Sequence, residues 1–160
     1  MRIAIIGYGK MGREVEKVCQ TQNHEIILKI EYENRHDLTV GNLKKCDLAF
    51  EFTGPETAVE NFLKCFEAGI PVVSGSTGWL QHWDEVLKKC LEYNACFFYA
   101  PNFSVGVYLF LHLNKYMASL MDKFPQYEPS ILERHHIHKK DAPSGTAIKT
   151  AQVIDRKSVV

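Results

Sequence analysis

Arg2-Ile3-Ala4-Ile5-Ile6-Gly7-Tyr8-Gly9-Lys10-Met11-Gly12 is the stretch that decides how this chain folds. An apolar, β-branched run of the length of one buried strand leads directly into G-x-G-x-x-G, and a helical pattern over 10–22 opens on the same loop. Glycine lets backbone approach a pyrophosphate closely, and a helix start offers unpaired N–H groups at the positive end of its dipole. Glu31 follows Gly12 by nineteen residues, at the end of a second apolar run over 25–30, where a carboxylate can accept hydrogen bonds from an adenosine ribose. Together these features point to a dinucleotide-binding loop built from Gly7, Tyr8, Gly9, Lys10, Met11 and Gly12 with Glu31 as its partner. The plainer alternative is a tight strand-to-helix turn with a solvated carboxylate at Glu31 or Glu33. A Glu at this place favours NADH by repelling a 2'-phosphate, but Arg35 or Lys10 can compensate, so NADH and NADPH both stay open.

Outward from that loop the first hundred residues alternate. Strand-like runs recur at 47–52, 71–73 and 95–99, and helical patterns lie at 55–68 and 82–93. Pro55 in the first turn and Gly69 just past the end punctuate the first of these helices. Strand and helix in series predict an α/β fold, a Rossmann-type doubly wound parallel sheet with helices on both faces. The polar stretch 32–46 reads as an irregular connection. After Pro101 the texture changes to a long, mostly apolar helical pattern over 104–121, then prolines, a strand candidate over 130–137 and an amphipathic helix from Ser144 to about Arg156. These place a dinucleotide-binding domain at 1–103 and a second domain from 104. A lone strand cannot pair its edges, so 104–160 reads as the N-terminal part of an α+β substrate domain within a longer protein.

The 160 residues are 46% hydrophobic and 24% charged, with 19 basic and 19 acidic side chains. That balance leaves no global field to hold nucleic acid or an anionic membrane. No apolar run reaches the roughly 18 residues of a membrane span, and 3–7 is too short for a signal peptide, which predicts a cytoplasmic protein. Five scattered cysteines without a C-x-x-C pair argue for reduced thiols rather than a disulfide framework or a zinc site.

Three more turns follow strand candidates and fall where ligands bind in open α/β sheets: Phe52-Thr53-Gly54-Pro55, Ser74-Gly75-Ser76-Thr77-Gly78 and Ala100-Pro101-Asn102-Phe103. Their convergence on one sheet edge predicts a nicotinamide-side pocket involving Thr53, Gly75, Ser76, Thr77, Ala100, Pro101, Asn102 and Phe103.

Glu133-Arg134-His135-His136-Ile137-His138-Lys139-Lys140-Asp141-Ala142-Pro143-Ser144-Gly145-Thr146-Ala147 concentrates three of the seven histidines. Strand alternation puts His135 on one face with Lys139, and His136 and His138 on the other. Pro143 holds Ala142 extended, and Ser144 is a natural N-cap for a helix striped by Ala147, Ile148, Ala151 and Ile154. The N–H groups of Ser144, Gly145 and Thr146 beside those cations would suit a small dicarboxylate. A metal site would need Glu133 or Asp141 to join histidines that an extended strand splits between its faces, so none is expected.

The stretch 135–147 closely resembles the signature of the dihydrodipicolinate reductase (4-hydroxy-tetrahydrodipicolinate reductase) family, roughly H-H-x-x-K-x-D-A-P-S-G-T. The glycine loop, Glu31, the turn 75–78 and Pro101-Asn102-Phe103-Ser104-Val105-Gly106 look like that family's cofactor-contacting segments in the same order. The resemblance implies NADH- or NADPH-dependent reduction of 4-hydroxy-tetrahydrodipicolinate to tetrahydrodipicolinate in lysine and diaminopimelate biosynthesis. It implies His135 as proton donor and acceptor, Lys139 as a second proton donor, and His136, Ser144, Gly145 and Thr146 as substrate-carboxylate contacts. It also implies a longer chain and a tetrameric full-length enzyme. The chain carries Tyr32 where the family often has an Arg beside the ribose acid. Two other functions share the glycine loop: another two-domain NAD(P) dehydrogenase, and a non-catalytic nucleotide-binding fragment.

Overall fold

Every apolar side chain of the first strand, β1 (Arg2–Ile6), is buried, and two separate cores follow from its alternation. Ile3 and Ile5 pack on one face with Cys19 of α1 (Lys10–Thr21), while Ala4 and Ile6 enter the larger core on the other face. A strand covered on both sides is what a central position in a parallel sheet requires. In this computed structural model, which describes residues 1–135, 137 and 142–155, β1 lies inside a five-stranded parallel sheet. Its partners are β2 (Glu25–Ile30), β3 (Leu48–Glu51), β4 (Val72–Ser74) and β5 (Phe97–Tyr99), in the order β2-β1-β3-β4-β5.

The register aligns the carboxyl ends. Ile6 pairs with Ile30 and with Glu51, Glu51 with Ser74, and Ser74 with Tyr99. The chain order reverses between β1 and β3, and it is at such a reversal that an open parallel sheet leaves a crevice.

The larger core is organised by α3 (Pro55–Ala68), whose Ala58, Phe62, Cys65 and Phe66 recur at helical spacing and are buried. Phe62 meets Trp79 edge-on with ring centroids 4.9 Å apart, and Phe97 of β5 lies against Phe62 and Phe66. Gly69 ends α3 in the left-handed conformation, φ 72°, so the chain can turn back into β4. On the same side α4 (Trp83–Glu92) buries Val86, after a 3-10 turn at Leu80–His82.

The connection 32–46 is more ordered than its composition suggests. Following a 3-10 turn, Arg35–Asp37, a one-turn helix α2 (Val40–Leu43) forms, with Thr39 Oγ1 accepting the Asn42 N–H at 3.2 Å, and Leu38 and Leu43 are buried. A single turn is too short to show helical periodicity, so its signal lay in the cap alone.

Contacts divide the chain into two units, Met1–Asn102 and Phe103–Val160. In the second, α5 (Val105–Met121) starts at Ser104, whose Oγ accepts the Val107 N–H, and packs against α6 (Gly145–Ile154). Residues 130–135 form no strand, contrary to the expectation for 130–137, because no neighbouring strand among the described residues supplies a hydrogen-bonding ladder. The expected apolar stripe of α6 is also not a buried face: Ile148 and Ala151 are exposed, and the residue it buries is Thr150.

Candidate functional site

Three glycines at the end of β1 stand in three different environments. Gly7 has φ 92°, and a Cβ there would lie 2.2 Å from the Phe52 carbonyl oxygen. A Cβ at Gly12 would lie 2.5 Å from the Gly7 carbonyl oxygen and 3.0 Å from Ile5 Cγ2, so this glycine lets α1 pack on the strand. Gly9 has open space, with nothing within 4 Å of its Cβ position. The turn is tied to its neighbour by the Gly7 and Tyr8 N–H groups, which both donate to the Ile30 carbonyl, at 2.9 and 3.1 Å. No side chain caps the start of α1. Its first-turn N–H groups and positive dipole end are therefore left for an anion.

Gly7, Tyr8 and Gly9 line a cleft of about 400 Å³ at the strand-order reversal. Glu31, Tyr32, Glu33 and Arg35 form another wall, and Thr53, Thr57 and Asn61 a third. The cleft thus brings together Gly7, Tyr8, Gly9, Glu31 and Thr53 of the expected nucleotide residues. Lys10, Met11 and Gly12 stand in the first turn of α1 without lining it, and Gly75, Ser76, Thr77 and Ala100, Pro101, Asn102, Phe103 also lie outside its wall. Tyr8 is held in place by its hydroxyl, which donates to Glu16, and Glu16 in turn pairs with Lys29 Nζ at 2.6 Å. These contacts, Lys29 first, hold the Glu16 carboxyl below its ordinary range.

Thr53 and Ser74 are joined through the carboxylate of Glu51, a residue outside the expected site. Glu51, the last residue of β3, is 0% exposed. Its Oε2 accepts the Ser74 hydroxyl at 2.7 Å, while its Oε1 accepts from Asn61 Nδ2 at 3.3 Å and from the Thr53 N–H and hydroxyl. Ser76, 3% exposed, accepts the Thr53 N–H on its Oγ at 2.8 Å, and its carbonyl takes the Trp79 indole N–H at 2.9 Å. Ser76 therefore fastens the β3 and β4 loops to each other. A charged residue ending an otherwise apolar strand, with Thr53 two residues on, was the available signal for Glu51.

The residues present fit a nicotinamide dinucleotide. The steric demands at Gly7 and Gly12, the space at Gly9 and the uncapped helix start together make a backbone cradle, and Glu31 lines the same cleft. Among the described residues no cluster of His, Cys, Asp and Glu can hold a metal ion, and no helix is long and apolar enough to cross a membrane.

In the second unit the Glu133 carboxylate is the organising group. It accepts the Ser144 N–H at 2.9 Å and faces His135 Nε2 at 3.0 Å. Hydrogen bonds from Ser144, then from His135, hold Glu133 below the usual carboxylate range. Ser144 is 5% exposed, and its Oγ accepts the Ala147 N–H at 3.0 Å. Its hydroxyl oxygen thus caps α6, as the sequence predicts, while its backbone N–H is taken by Glu133. Gly145 and Thr146 remain exposed at the helix start. His136 and Lys139 lie outside the described residues.

Comparison with known proteins gives this arrangement a family. Residues 1–103 match the family described as dihydrodipicolinate reductase, N-terminus, and residues 106–159 match dihydrodipicolinate reductase, C-terminus. The chain is 41% identical over 155 residues to a 4-hydroxy-tetrahydrodipicolinate reductase of Christiangramia forsetii, covering 96% of this chain and 64% of that protein. A second, of Streptococcus uberis, is 34% identical over 170 residues, covering 98% of this chain and 65% of its own length. The dipicolinate-bound dihydrodipicolinate reductase from Paenisporosarcina sp. TG-14 superposes with a TM-score of 0.70 at 29% identity, over 97% of this chain and 65% of that one. The chain thus spans just under two thirds of the length of these relatives. Its Rossmann-type α/β fold with a second unit accords with these matches, and the chain belongs to the dihydrodipicolinate reductase family.

Proposed function

We propose that the protein containing this chain reduces 4-hydroxy-tetrahydrodipicolinate to tetrahydrodipicolinate with NADH or NADPH, in lysine and diaminopimelate biosynthesis. The observation that carries the reading is the set of three glycine environments at the end of β1, with Gly9 open onto a cleft that Glu31 also lines. Family membership supports the choice of substrate, because the relatives bear that reductase name.

The substrate loses its 4-hydroxyl as water, and the resulting unsaturated ring takes up one hydride and one proton. The dinucleotide, when bound, supplies the hydride. In this reading Gly7, Tyr8, Gly9 and the start of α1 with Lys10, Met11 and Gly12 hold the pyrophosphate through backbone N–H groups, and Glu31 accepts the ribose hydroxyls. Thr53, with Gly75, Ser76 and Thr77 and with Ala100, Pro101, Asn102 and Phe103, shapes the nicotinamide side, Glu51 and Ser76 keeping the loops in register. His135 delivers and recovers the proton, and histidine suits that work because its unperturbed pKa of about 6.5 lies close to physiological pH. Lys139 is the second proton donor. Gly145 and Thr146 hold a substrate carboxylate with His136, and Ser144 acts by starting the helix that presents them. The reading requires the imidazole and the nicotinamide to meet over one substrate, where orientation yields much of the rate gain. We place the protein in the cytoplasm, tetrameric at full length, with residues 104–160 as part of its substrate domain.

Calorimetric titration of the NADH-loaded protein with dipicolinate tests this. Saturable binding of dipicolinate, with none of homoserine or of sugars, is the expected result. A preference for homoserine or a sugar would instead assign the cleft to a different two-domain dehydrogenase.

A further inference from the structure

Arg35 is the only cation among the described residues that line the cleft, and it is already engaged. It stands in the 3-10 turn after β2, beside Glu31, Tyr32 and Glu33. Asn34 fixes that turn by accepting the Glu31 N–H at 2.7 Å and donating to the Lys29 carbonyl at 2.8 Å. The Arg35 guanidinium donates to Glu60 Oε2 on α3, and Lys64 Nζ occupies the other Glu60 oxygen at 2.9 Å. Lys64 first, and then Arg35, hold the Glu60 carboxyl below its ordinary range, so the anion persists at neutral pH.

Of the other cations near the cleft, Lys10 opens α1 without lining it, and two more are engaged. Lys29 pairs with Glu16 and lies 5.0 Å from the Tyr8 ring centroid, and Arg13 lies 5.1 Å from the same centroid. The wall that receives an adenosine ribose therefore presents two carboxylates, Glu31 and Glu33, and one guanidinium whose charge Glu60 offsets. A ribose with a free 2'-hydroxyl can donate to such a carboxylate. A phosphate on that oxygen brings about two negative charges to the same place and finds no uncommitted cation among the described residues that line the cleft.

We propose that Glu60, which lines no part of the cleft itself, sets nucleotide preference by holding Arg35, so that the cleft takes NADH over its 2'-phosphorylated counterpart. The inference rests on the reading of the cleft as a dinucleotide site. Glu60 acts through Arg35 and not by touching the nucleotide, which makes it a positioning residue. Both partners are roughly half exposed, so the restraint is modest and weakens with salt.

The test is nicotinamide fluorescence titration of the wild-type chain, Glu60→Gln, Arg35→Ala and the double variant with NADH and with NADPH at low salt, thermal midpoints being recorded for each. The wild type is expected to bind NADH about tenfold more tightly than NADPH. Glu60→Gln is expected to tighten NADPH about threefold to fivefold and to leave NADH within about twofold, in line with the size of an exposed ion pair. Arg35→Ala alone changes the ratio little, and in the Glu60→Gln background it removes the gain, which separates Arg35 from the Lys64 freed by the same change. Equal wild-type affinities, an unchanged ratio in Glu60→Gln, or a gain that survives loss of Arg35 would overturn the inference while leaving the dinucleotide site standing. Failure of the wild type to bind either nucleotide would overturn the reading of the cleft and the inference with it.

Discussion

The carboxylate of Glu133 accepts the backbone N–H of Ser144 at 2.9 Å and faces Nε2 of His135 at 3.0 Å. One side chain therefore ties the imidazole to the start of α6. If His135 moves the proton, His135→Gln keeps a group of similar length and polarity but removes the titratable nitrogen. Turnover is expected to fall by about 10²- to 10⁴-fold, the usual contribution of a general acid or base. The dissociation constant for NADH, measured by fluorescence, is expected to stay within about twofold. Turnover that survives the change would remove His135 from the chemistry.

Glu133 also confers an acid sensitivity of known sign. Its carboxyl is held below the ordinary value by Ser144 and His135. The stabilisation is thus fully present above the unfolded value of about 4.3 and is lost as pH falls through the lower, folded value. Hydrogen exchange at the Ser144 amide is expected to stay slow down to about pH 5 and to accelerate only below the ordinary carboxylate range. In Glu133→Gln that acid-dependent step should vanish.

The three loop glycines separate folding from binding. Gly9→Val points into open space, so the thermal midpoint should move by no more than an ordinary surface change, about 0.5 kcal/mol, while NADH affinity collapses. Gly7→Ala forces an L side chain to φ 92° against the Phe52 carbonyl and should cost about 1–3 kcal/mol or more. Gly12→Ala should also destabilise, because its Cβ meets the Gly7 carbonyl. Denaturant unfolding and nucleotide titration of the same samples resolve the two effects.

Thiol reactivity should follow burial. All five cysteines are free, Cys96 is exposed, and burial pushes the Cys65 thiol up to about 12. An aromatic disulfide reagent at pH 8 should modify Cys96 in the native protein and reach Cys65 only on unfolding. Fast native labelling of Cys65 would contradict the packing of α3.

The parts of this molecule that were legible in the sequence are those specified by neighbours in the chain. The glycine loop, the strands flanking it and the Pro55-to-Gly69 helix carry their own periodicity and punctuation, and the Ser144 cap is a local pattern too. The role of Glu51 was not legible, because its partners Ser74 and Asn61 meet it only once β3, β4 and α3 are assembled. Ser144 illustrates the same limit: its cap was foreseen, but the Glu133 carboxylate that takes its N–H lies eleven residues earlier. The strand expected over 130–137 had suitable residues, yet residues 130–135 have no ladder partner among the described residues, and propensity alone does not make a strand.

The most direct measurement is the near-ultraviolet absorbance of NADH in the presence of the protein as 4-hydroxy-tetrahydrodipicolinate is added. Oxidation that depends on the substrate, yields one tetrahydrodipicolinate per NADH and disappears in His135→Gln is the expected outcome. Tight NADH binding with an absorbance that stays flat on addition of that substrate would contradict the reductase assignment and leave a nucleotide-binding module in its place.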